Sequence, residues 1–219
     1  MRLHPEETEA APWRRVDDHE LRALLTRLVP RGRGVLLVDG RSGAGKSTFA
    51  ERAADLLAGV VVHSDDLAWH HDPVAWDGLA VDHVIEPWRR GEDVDYRPPG
   101  WVARGRNGSV TVPADVGVLV LEGVGAGRAS LAAHADAVVW VQSDRDEARE
   151  RGLRRDVDLG RTREEAERFW DDWMLAEEPF LAVDRPWSRA DLVVNASVAD
   201  GKPGCTTLAP GPRSSDLPR

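Results

Sequence analysis

The stretch over residues 34–57, GVLLVDGRSGAGKSTFAERAADLL, decides the fold because its character changes twice along its length. It begins with an apolar run, GVLLVDG, which is typical of a strand buried on both faces of a sheet. The segment KSTFAERAADLLAG has amphipathic spacing and predicts a helix that stops at Gly59. The residues between these two segments contain more glycines than either a strand or a helix favours. The stretch therefore predicts a strand, a permissive loop and a helix in succession.

The loop matches the pattern G-x-x-x-x-G-K-[ST] at Gly40, Gly45, Lys46 and Ser47. Its glycines let successive backbone N–H groups point into one concavity, and the helix N-terminus adds the positive end of its dipole. We expect Lys46 to reach the β- and γ-phosphates of a nucleotide, and Ser47 to give its hydroxyl to Mg²⁺. The alternative is a glycine-rich turn that binds nothing. The predicted cofactors are ATP and Mg²⁺, and the predicted nucleotide-binding residues are Gly40, Arg41, Ser42, Gly43, Ala44, Gly45, Lys46, Ser47 and Thr48.

Composition narrows the class of protein. The 219 residues carry a net charge of −9 with a pI near 5.3, so we expect neither nucleic acid nor an anionic membrane as a partner. No apolar run has the length of a signal-peptide core or of a membrane span. The single Cys205 excludes an intramolecular disulfide and a cysteine-rich metal site. We expect a cytoplasmic enzyme or binding protein and leave open whether it forms a homo-oligomer.

Strands and helices alternate along the rest of the chain. Further strands are predicted over 60–66, 117–127, 136–144 and 190–197. Helices are predicted over 17–29 and, with a break near 158–161, over 146–173. This order predicts an α/β fold, a three-layer P-loop NTPase sandwich with a mostly parallel sheet and helices on both faces.

The predicted boundaries follow from composition. We expect a flexible N-terminus over residues 1–16 and one domain over 17–199. The segment over 200–219, DGKPGCTTLAPGPRSSDLPR, is rich in proline, glycine and serine, so a disordered tail is predicted there.

Acidic residues follow two of the predicted strands. Asp65 and Asp66 lie just past the second strand, at the sheet edge where open α/β folds bind ligands. A carboxylate there can orient a hydroxyl and take its proton as the oxygen attacks the γ-phosphate, although a helix N-cap or a turn is the alternative. Glu122 ends the third strand, at a position where an acidic residue typically holds Mg²⁺ directly or through water.

Several further segments carry a family pattern. They are HDPVAWD at 71–77, GEDVDYRPPG at 91–100, VTVPADVGVLVLEG at 110–123, DRDEARERGLRRDVDLGR at 144–161 and RADLVV at 189–194. Together with the loop they resemble the uridine kinase family, within the group of uridine, phosphoribulose and pantothenate kinases. The chain departs from the family where D-x-F-Y follows the second strand, because Asp65 is kept and both aromatic residues are missing.

The resemblance implies a role for each matching residue. Asp65 is the implied general base, Lys46 acts on the phosphates, and Ser47 and Glu122 surround Mg²⁺. A helical, arginine-rich lid is implied over about 145–175, and its arginines close over the triphosphate. The matching arginines are Arg151, Arg155 and Arg161. The alternative for this segment is a solvated helix with ion pairs between residues four apart.

The implied activity is transfer of the γ-phosphoryl group of ATP to a hydroxyl of a small molecule, with a nucleoside such as uridine or cytidine as first choice. Asp66, Asp77 and Tyr96 are the candidate acceptor-binding residues. Two alternatives stay open: a kinase for a vitamin precursor, a sugar or an antibiotic, and a P-loop ATPase or nucleotide sensor. A sensor would need no acceptor pocket, whereas the chain has a catalytic-type carboxylate and an arginine-rich segment.

Overall fold

The computed structural model describes residues 1–29, 32–195 and 205–214 of the chain. In these ranges the strands are β1 (Arg14–Asp17), β2 (Gly34–Gly40), β3 (Val60–His63), β4 (Val94–Tyr96), β5 (Val110–Val112), β6 (Val118–Glu122), β7 (Ala137–Gln142), β8 (Leu192–Asn195) and β9 (Cys205–Pro210). The helices are α1 (Asp18–Leu28), α2 (Lys46–Leu57), α3 (Ser64–Leu67), α4 (Asp77–Ala80), α5 (Glu86–Arg89), α6 (Pro99–Ala103), α7 (Ala129–Ala132), α8 (Arg145–Asp158) and α9 (Arg163–Asp184). A π-helical turn over Val81–Ile85 joins α4 to α5, and a 3-10 turn covers Pro186–Arg189.

One sheet organises the described part of the chain. Its strand order is β1-β9-β8-β7-β2-β6-β3, and β4 and β5 form a separate antiparallel pair. The strands β3, β6, β2, β7 and β8 run parallel, and every residue of β2, β6 and β7 is buried. Burial on both faces explains their continuous apolar sequences and confirms the predicted α/β fold with a mostly parallel sheet. Parallel strands end at one edge, so β2, β3 and β6 bring their C-terminal residues together.

Helices cover both faces of the sheet. On one face α1 and α2 pack in a cluster that includes Leu21, Leu25 and Phe49. On the other face the cluster contains the fully buried Trp76 and Trp88. Both clusters bury large apolar side chains, and each Å² of apolar surface removed from water stabilises the fold by about 25 cal/mol. The sheet therefore has a core on each side, as a three-layer sandwich requires.

The predicted lid segment forms two helices. Asp144 caps α8 by accepting hydrogen bonds from the backbone N–H groups of Asp146 and Glu147. Thr162 and Glu165 form a reciprocal capping box at the start of α9. The break between the two helices falls where the sequence predicts it, although α9 continues to Asp184, well past the predicted end of the lid. None of the helices in the described ranges is long and apolar enough to cross a membrane.

The two ends of the chain differ from the prediction. The predicted disordered tail is wrong for β9, which pairs antiparallel with β8 and with β1 and buries Leu208 and Ala209. The flexible N-terminus is likewise wrong for β1 and for Glu7, which is buried. Both errors have one cause, since a sheet edge can order a short strand whose composition alone does not predict one. Residues 196–204 and 215–219, which include parts of the predicted last strand and tail, lie outside the described residues.

Candidate active site

The predicted phosphate-binding loop, residues 40–47, called the phosphate-binding loop below, connects β2 to α2 at the carboxyl edge of the sheet. Gly43 and Gly45 have φ angles of +72° and +97°, which L-residues with a side chain rarely adopt. A Cβ atom on Gly43 would also clash with the backbone oxygen of Ala148 in α8. The loop sequence therefore serves two needs, a left-handed backbone and close contact with the first lid helix.

Lys46 is the first residue of α2 and is only 9% exposed. Its Nζ donates a hydrogen bond to the backbone oxygen of Arg41, 2.9 Å away, so the side chain folds back across its own loop. A buried ammonium held by one neutral carbonyl retains two further N–H donors. The arrangement places a positive charge inside the concavity of the loop, where a phosphate chain would need it.

Glu122 ends β6 beside the loop and is 5% exposed. Its Oε1 accepts a hydrogen bond from Ser47 Oγ at 3.1 Å and lies 2.6 Å from His63 Nδ1. Burial opposes ionisation of this carboxyl, but the bond with His63 and the charge of Lys46 outweigh burial, so the pKa of Glu122 lies below its usual range. The same hydrogen bond is the main cause that raises the pKa of His63. The pair favours a charged carboxylate at the sheet edge.

The donor set at this edge fits a magnesium ion. Glu122 Oε2 is buried and has no hydrogen-bond partner within the described residues, and Ser47 supplies a hydroxyl beside it. Carboxylate and hydroxyl oxygens suit Mg²⁺, which usually takes one or two protein ligands and completes its octahedron with phosphates and water. In the described ranges no group of three or more His, Cys, Asp or Glu side chains is placed to hold a metal by itself. An ion here would therefore depend on a bound phosphate chain.

A cavity of about 550 Å³, called the main cavity below, opens in front of the loop. Lys46, Ser47 and Glu122 line it on the sheet side, and Asp65 lines it from α3. Asp65 is exposed and has no side-chain partner within the described residues, which leaves the carboxylate available to a ligand. The structure therefore brings the predicted phosphate, metal and general-base residues to one cavity. Its other walls include Trp69, Arg155, Asp156, Arg161, Phe169, Trp170 and Trp173.

The predicted lid arginines occupy two positions. Arg151 donates from Nε to the backbone oxygen of Gly43 at 2.8 Å and so joins α8 to the loop. Arg155 and Arg161 line the main cavity, and both pair with the buried carboxylate of Asp156, at 3.2 and 3.5 Å. A buried carboxylate between two arginines holds them at the cavity wall, where they can meet a phosphate. The alternative of an ion-paired helix is met in part, because Arg151 also pairs with Glu147, four residues earlier, at 3.8 Å.

The predicted acceptor residues lie elsewhere. Asp66 pairs with Arg106 at 2.7 Å, and Tyr96 stacks on His83 with ring centroids 4.3 Å apart. Asp77 accepts hydrogen bonds from Arg128 and from Ser130 Oγ, and its pKa is lowered because those bonds and the Arg128 charge outweigh burial. These three residues do not line the main cavity, and each is engaged by a partner of its own. The structure thus does not place any of the three in the cavity that Asp65 lines.

Aromatic residues that sequence reasoning assigned to no role form much of the main cavity wall. Trp69 lies on the α3 side, and Phe169, Trp170 and Trp173 project from α9. Only the high tryptophan count, nine in 219 residues, signals them in the sequence. The spacing of the last three residues, 169, 170 and 173, places them on one side of a helix, which becomes informative once the helix is known to face the loop.

Asp39 is another residue near the site that the sequence analysis did not identify. It is fully buried near the end of β2, where its carboxylate accepts from the backbone N–H groups of Gly40, Gly125 and Gly127 at 2.7, 3.0 and 2.8 Å. Burial is the largest influence on its ionisation and raises the pKa of Asp39 to about 6, against the opposing effect of the three donors and Lys46. The side chain joins the phosphate-binding loop to the segment after β6.

Glu177 in α9 was likewise not identified by the sequence analysis. Its carboxylate is fully buried, lies 3.2–3.3 Å from the backbone N–H of Ser42 and accepts from Trp173 Nε1 at 2.6 Å. A backbone N–H of the loop is therefore already paired with an anion, supplied by the second lid helix. The contact fixes how α9 sits against the loop.

Comparison with known proteins supports the fold. No protein-family model matches the chain, and no curated protein sequence matches it. Among solved structures, one described as a possible uridine kinase from Bacillus stearothermophilus has 20% sequence identity and a TM-score of 0.55, covering 80% of this chain and 96% of that one. A "putative fructose transport system kinase" from Silicibacter sp. TM1040 has 20% identity and a TM-score of 0.48, covering 78% and 93%. The first likeness and the sheet topology show that the chain has the α/β P-loop fold seen in kinase structures.

Proposed function

We propose that the chain is an ATP- and Mg²⁺-dependent kinase that transfers the γ-phosphoryl group to a hydroxyl of a small molecule, with a nucleoside as first choice. One observation carries the proposal: Lys46, Ser47, Glu122 and Asp65 line the same cavity. A nucleotide-binding loop alone is shared by many classes of protein, but an unpaired carboxylate facing it is what transfer to a bound hydroxyl needs.

The loop side of the cavity accounts for the phosphates. Backbone N–H groups of the loop and the N-terminus of α2 hold the β-phosphate, and Lys46 exchanges its bond with the Arg41 carbonyl for phosphate oxygens. Ser47 and Glu122 would hold Mg²⁺, which would neutralise charge on the phosphate chain. His63 keeps Glu122 ionised and oriented through its short hydrogen bond.

Asp65 acts on the acceptor. It takes the proton of the acceptor hydroxyl, the hydroxyl oxygen forms the new bond to the γ-phosphorus, and the bond to the β-phosphate oxygen breaks to leave ADP. Arg155 and Arg161 neutralise the transferred group from the lid side and keep water away from it. Each of these side chains lines the main cavity, so no long-range rearrangement of the sheet is needed.

The aromatic wall supports an acceptor with a flat face. Trp69, Phe169 and Trp173 offer ring surfaces, and a nucleobase stacks on such surfaces in a sequence-tolerant way. The positions of Asp77 and Tyr96 outside the cavity weaken a direct copy of the uridine kinase acceptor site. A kinase for another ring-containing metabolite is therefore the second candidate, favoured by the same aromatic wall.

The proposal is tested by ADP release in the presence of Mg²⁺ and ATP, with and without each member of a panel of nucleosides, vitamin precursors, sugars and aminoglycosides. We expect one acceptor class to raise ADP release far above the basal rate and to yield a phosphate ester detectable by mass spectrometry. Basal hydrolysis that no acceptor changes, with tight nucleotide binding, would support an ATPase or sensor and contradict the kinase. Calorimetry that shows no nucleotide binding would remove both.

A further inference from the structure

A second cavity, of about 480 Å³ and called the rear cavity below, lies behind the phosphate-binding loop. Arg41 and Ser42 line it from the loop, Arg145 and Arg149 from α8, and Met174 from α9. It shares only Ser42 and Trp170 with the main cavity. Arg41 and Ser42 belong to the predicted nucleotide-binding loop, but none of the side chains given a role in the proposed kinase reaction lines the rear cavity.

Arg41 lines the rear cavity with buried N–H groups that have no hydrogen-bond partner among the described residues. The residue is 4% exposed, and its Nη1 donates to Glu178 Oε1 at 2.9 Å. Its Nε and Nη2 are buried and find no hydrogen-bond partner among the described residues. A buried guanidinium with unpaired N–H groups costs free energy, because water has been removed without replacement. A ligand that enters the cavity could therefore accept hydrogen bonds from the Arg41 guanidinium.

The charges around the rear cavity favour an anion. Four arginines, at positions 2, 41, 145 and 149, line it against the two carboxylates of Asp146 and Glu177. Glu178 is already shared between Arg41 and Arg145, at 2.9 and 2.5 Å. Among the described residues Arg149 pairs with Glu150, at 3.6 Å, and its side chain is 37% exposed. Arg2 pairs with Asp146 at 2.6 Å, so each of the four arginines already meets a carboxylate. The capacity for a further anion therefore lies in the guanidinium N–H groups that remain unpaired, above all Nε and Nη2 of Arg41.

The apolar part of the wall indicates the rest of the ligand. Leu3, Trp170 and Met174 line the cavity beside the arginines. The volume of 480 Å³ lies in the range of about 300–1,000 Å³ that small-molecule sites occupy and greatly exceeds what inorganic phosphate needs. A ligand that uses both surfaces has an anionic group and an organic body.

We propose that the rear cavity binds a small phosphate ester, distinct from the nucleotide of the phosphate-binding loop, with its phosphate on Arg41, Arg145 and Arg149. The two sites lie on different sides of α8. Arg151 reaches the Gly43 carbonyl of the loop, whereas Arg145 and Arg149 face the rear cavity. Binding at the rear cavity does not require the proposed kinase activity and stands or falls separately from it.

The test uses isothermal titration calorimetry with glycerol 1-phosphate as the probe, in a Lys46→Ala background that weakens phosphate binding at the loop. We expect the probe to bind this protein, and the added substitutions Arg145→Gln and Arg149→Gln to weaken it by about tenfold or more, because charge-assisted bonds are lost. Arg154→Gln is the matched control. It removes the same charge from the same helix at an exposed residue that does not line the cavity, and binding should be unchanged.

Three results would overturn the proposal: no binding of the probe in the Lys46→Ala background, equal loss in the Arg154→Gln control, or equal affinity for malonate, which has carboxylates but no phosphate. Melting temperatures of all variants show whether they fold. If Lys46→Ala is unfolded, the same titrations are run on the natural sequence with its loop saturated by a non-hydrolysable ATP analogue and Mg²⁺. Retained probe binding then supports the second site, and its loss contradicts it.

Discussion

The phosphate-binding loop and the predicted acceptor residues differ in how the chain holds them. The loop residues are neighbours in sequence, act largely through backbone N–H groups and meet Glu122 and Asp65 at one cavity. Asp66, Asp77 and Tyr96 come from separate elements, and each is paired with a side chain away from that cavity. The difference indicates that the proposed nucleotide site rests on a contiguous backbone feature, whereas the proposed acceptor site depends on which side chains tertiary packing brings to the opposite wall.

The largest expected effect on activity comes from Asp65→Asn, which removes the proposed general base but keeps the size of the side chain. We expect the transfer rate to fall by about 10²–10⁴-fold, the usual contribution of general base catalysis, while ATP affinity changes little. The measurements are steady-state ADP release with the identified acceptor and calorimetric ATP binding. Normal turnover in this variant would remove Asp65 from its role.

A large loss of stability is expected for Asp39→Ala, on the loop side of the comparison. The substitution leaves the N–H groups of Gly40, Gly125 and Gly127 without their acceptor. Because unpaired buried N–H groups are costly, we expect the free energy of unfolding to fall by about 2–4 kcal/mol. Denaturant unfolding measures it. The matched control, Asp95→Ala on an exposed strand position, should leave it within about 0.5 kcal/mol.

Lys46→Ala tests the nucleotide alone. Loss of the ammonium should weaken ATP binding by about 10–100-fold, since a hydrogen bond to a charged group contributes roughly 1.5–3 kcal/mol. Titration with a non-hydrolysable analogue measures the affinity. Arg22→Ala, at an exposed position of α1 far in sequence from the loop, is the control and should bind as the natural sequence does. An unchanged affinity in Lys46→Ala would place the phosphates elsewhere.

Phe169→Ala tests whether the aromatic wall of the main cavity binds the acceptor. Phe169 is 43% exposed, lines the main cavity and lies under the Arg161 guanidinium at 4.2 Å. Loss of its ring should raise the KM for the acceptor by about 2–10-fold, in line with the 0.5–1.5 kcal/mol of a typical aromatic contact, and leave the KM for ATP unchanged. Leu175→Ala on the same helix, 77% exposed and outside the cavity, is the control. If Tyr96→Leu raises the acceptor KM and Phe169→Ala does not, the aromatic wall is not the acceptor site.

The smallest expected effect is a pH dependence caused by Asp39. The pKa of this carboxyl is about 6 in the folded state, against 3.8 as its ordinary value, so the folded chain takes up a proton below about pH 6 that the unfolded chain does not. Stability contributed by Asp39 therefore rises as the pH falls through that window, by about 1 kcal/mol between pH 7 and pH 5. Unfolding curves for the natural sequence and Asp39→Ala at both pH values give the difference. A constant difference would contradict the raised pKa.

Local patterns predicted much of the fold and half of the site. The bounds of β2 follow from its sequence, because a strand buried on both faces is apolar throughout, and Glu122 is found because it ends such a strand. The strand β9 could not be predicted, since its CTTLAP sequence becomes a strand only against the edges of β8 and β1. Asp39 and Glu177 were missed for the same reason: Gly125 and Gly127 lie more than 80 residues from Asp39, Ser42 lies 135 residues from Glu177, and no spacing links them.

The tryptophans of the main cavity give the protein a built-in optical reporter. Three of the nine indoles, at positions 69, 170 and 173, stand where the acceptor and the phosphates are proposed to meet. Indole emission responds to polarity and to charged groups nearby, so filling the pocket should alter the intrinsic fluorescence without any label. Stopped-flow traces at that wavelength could then time the arrival of each ligand separately.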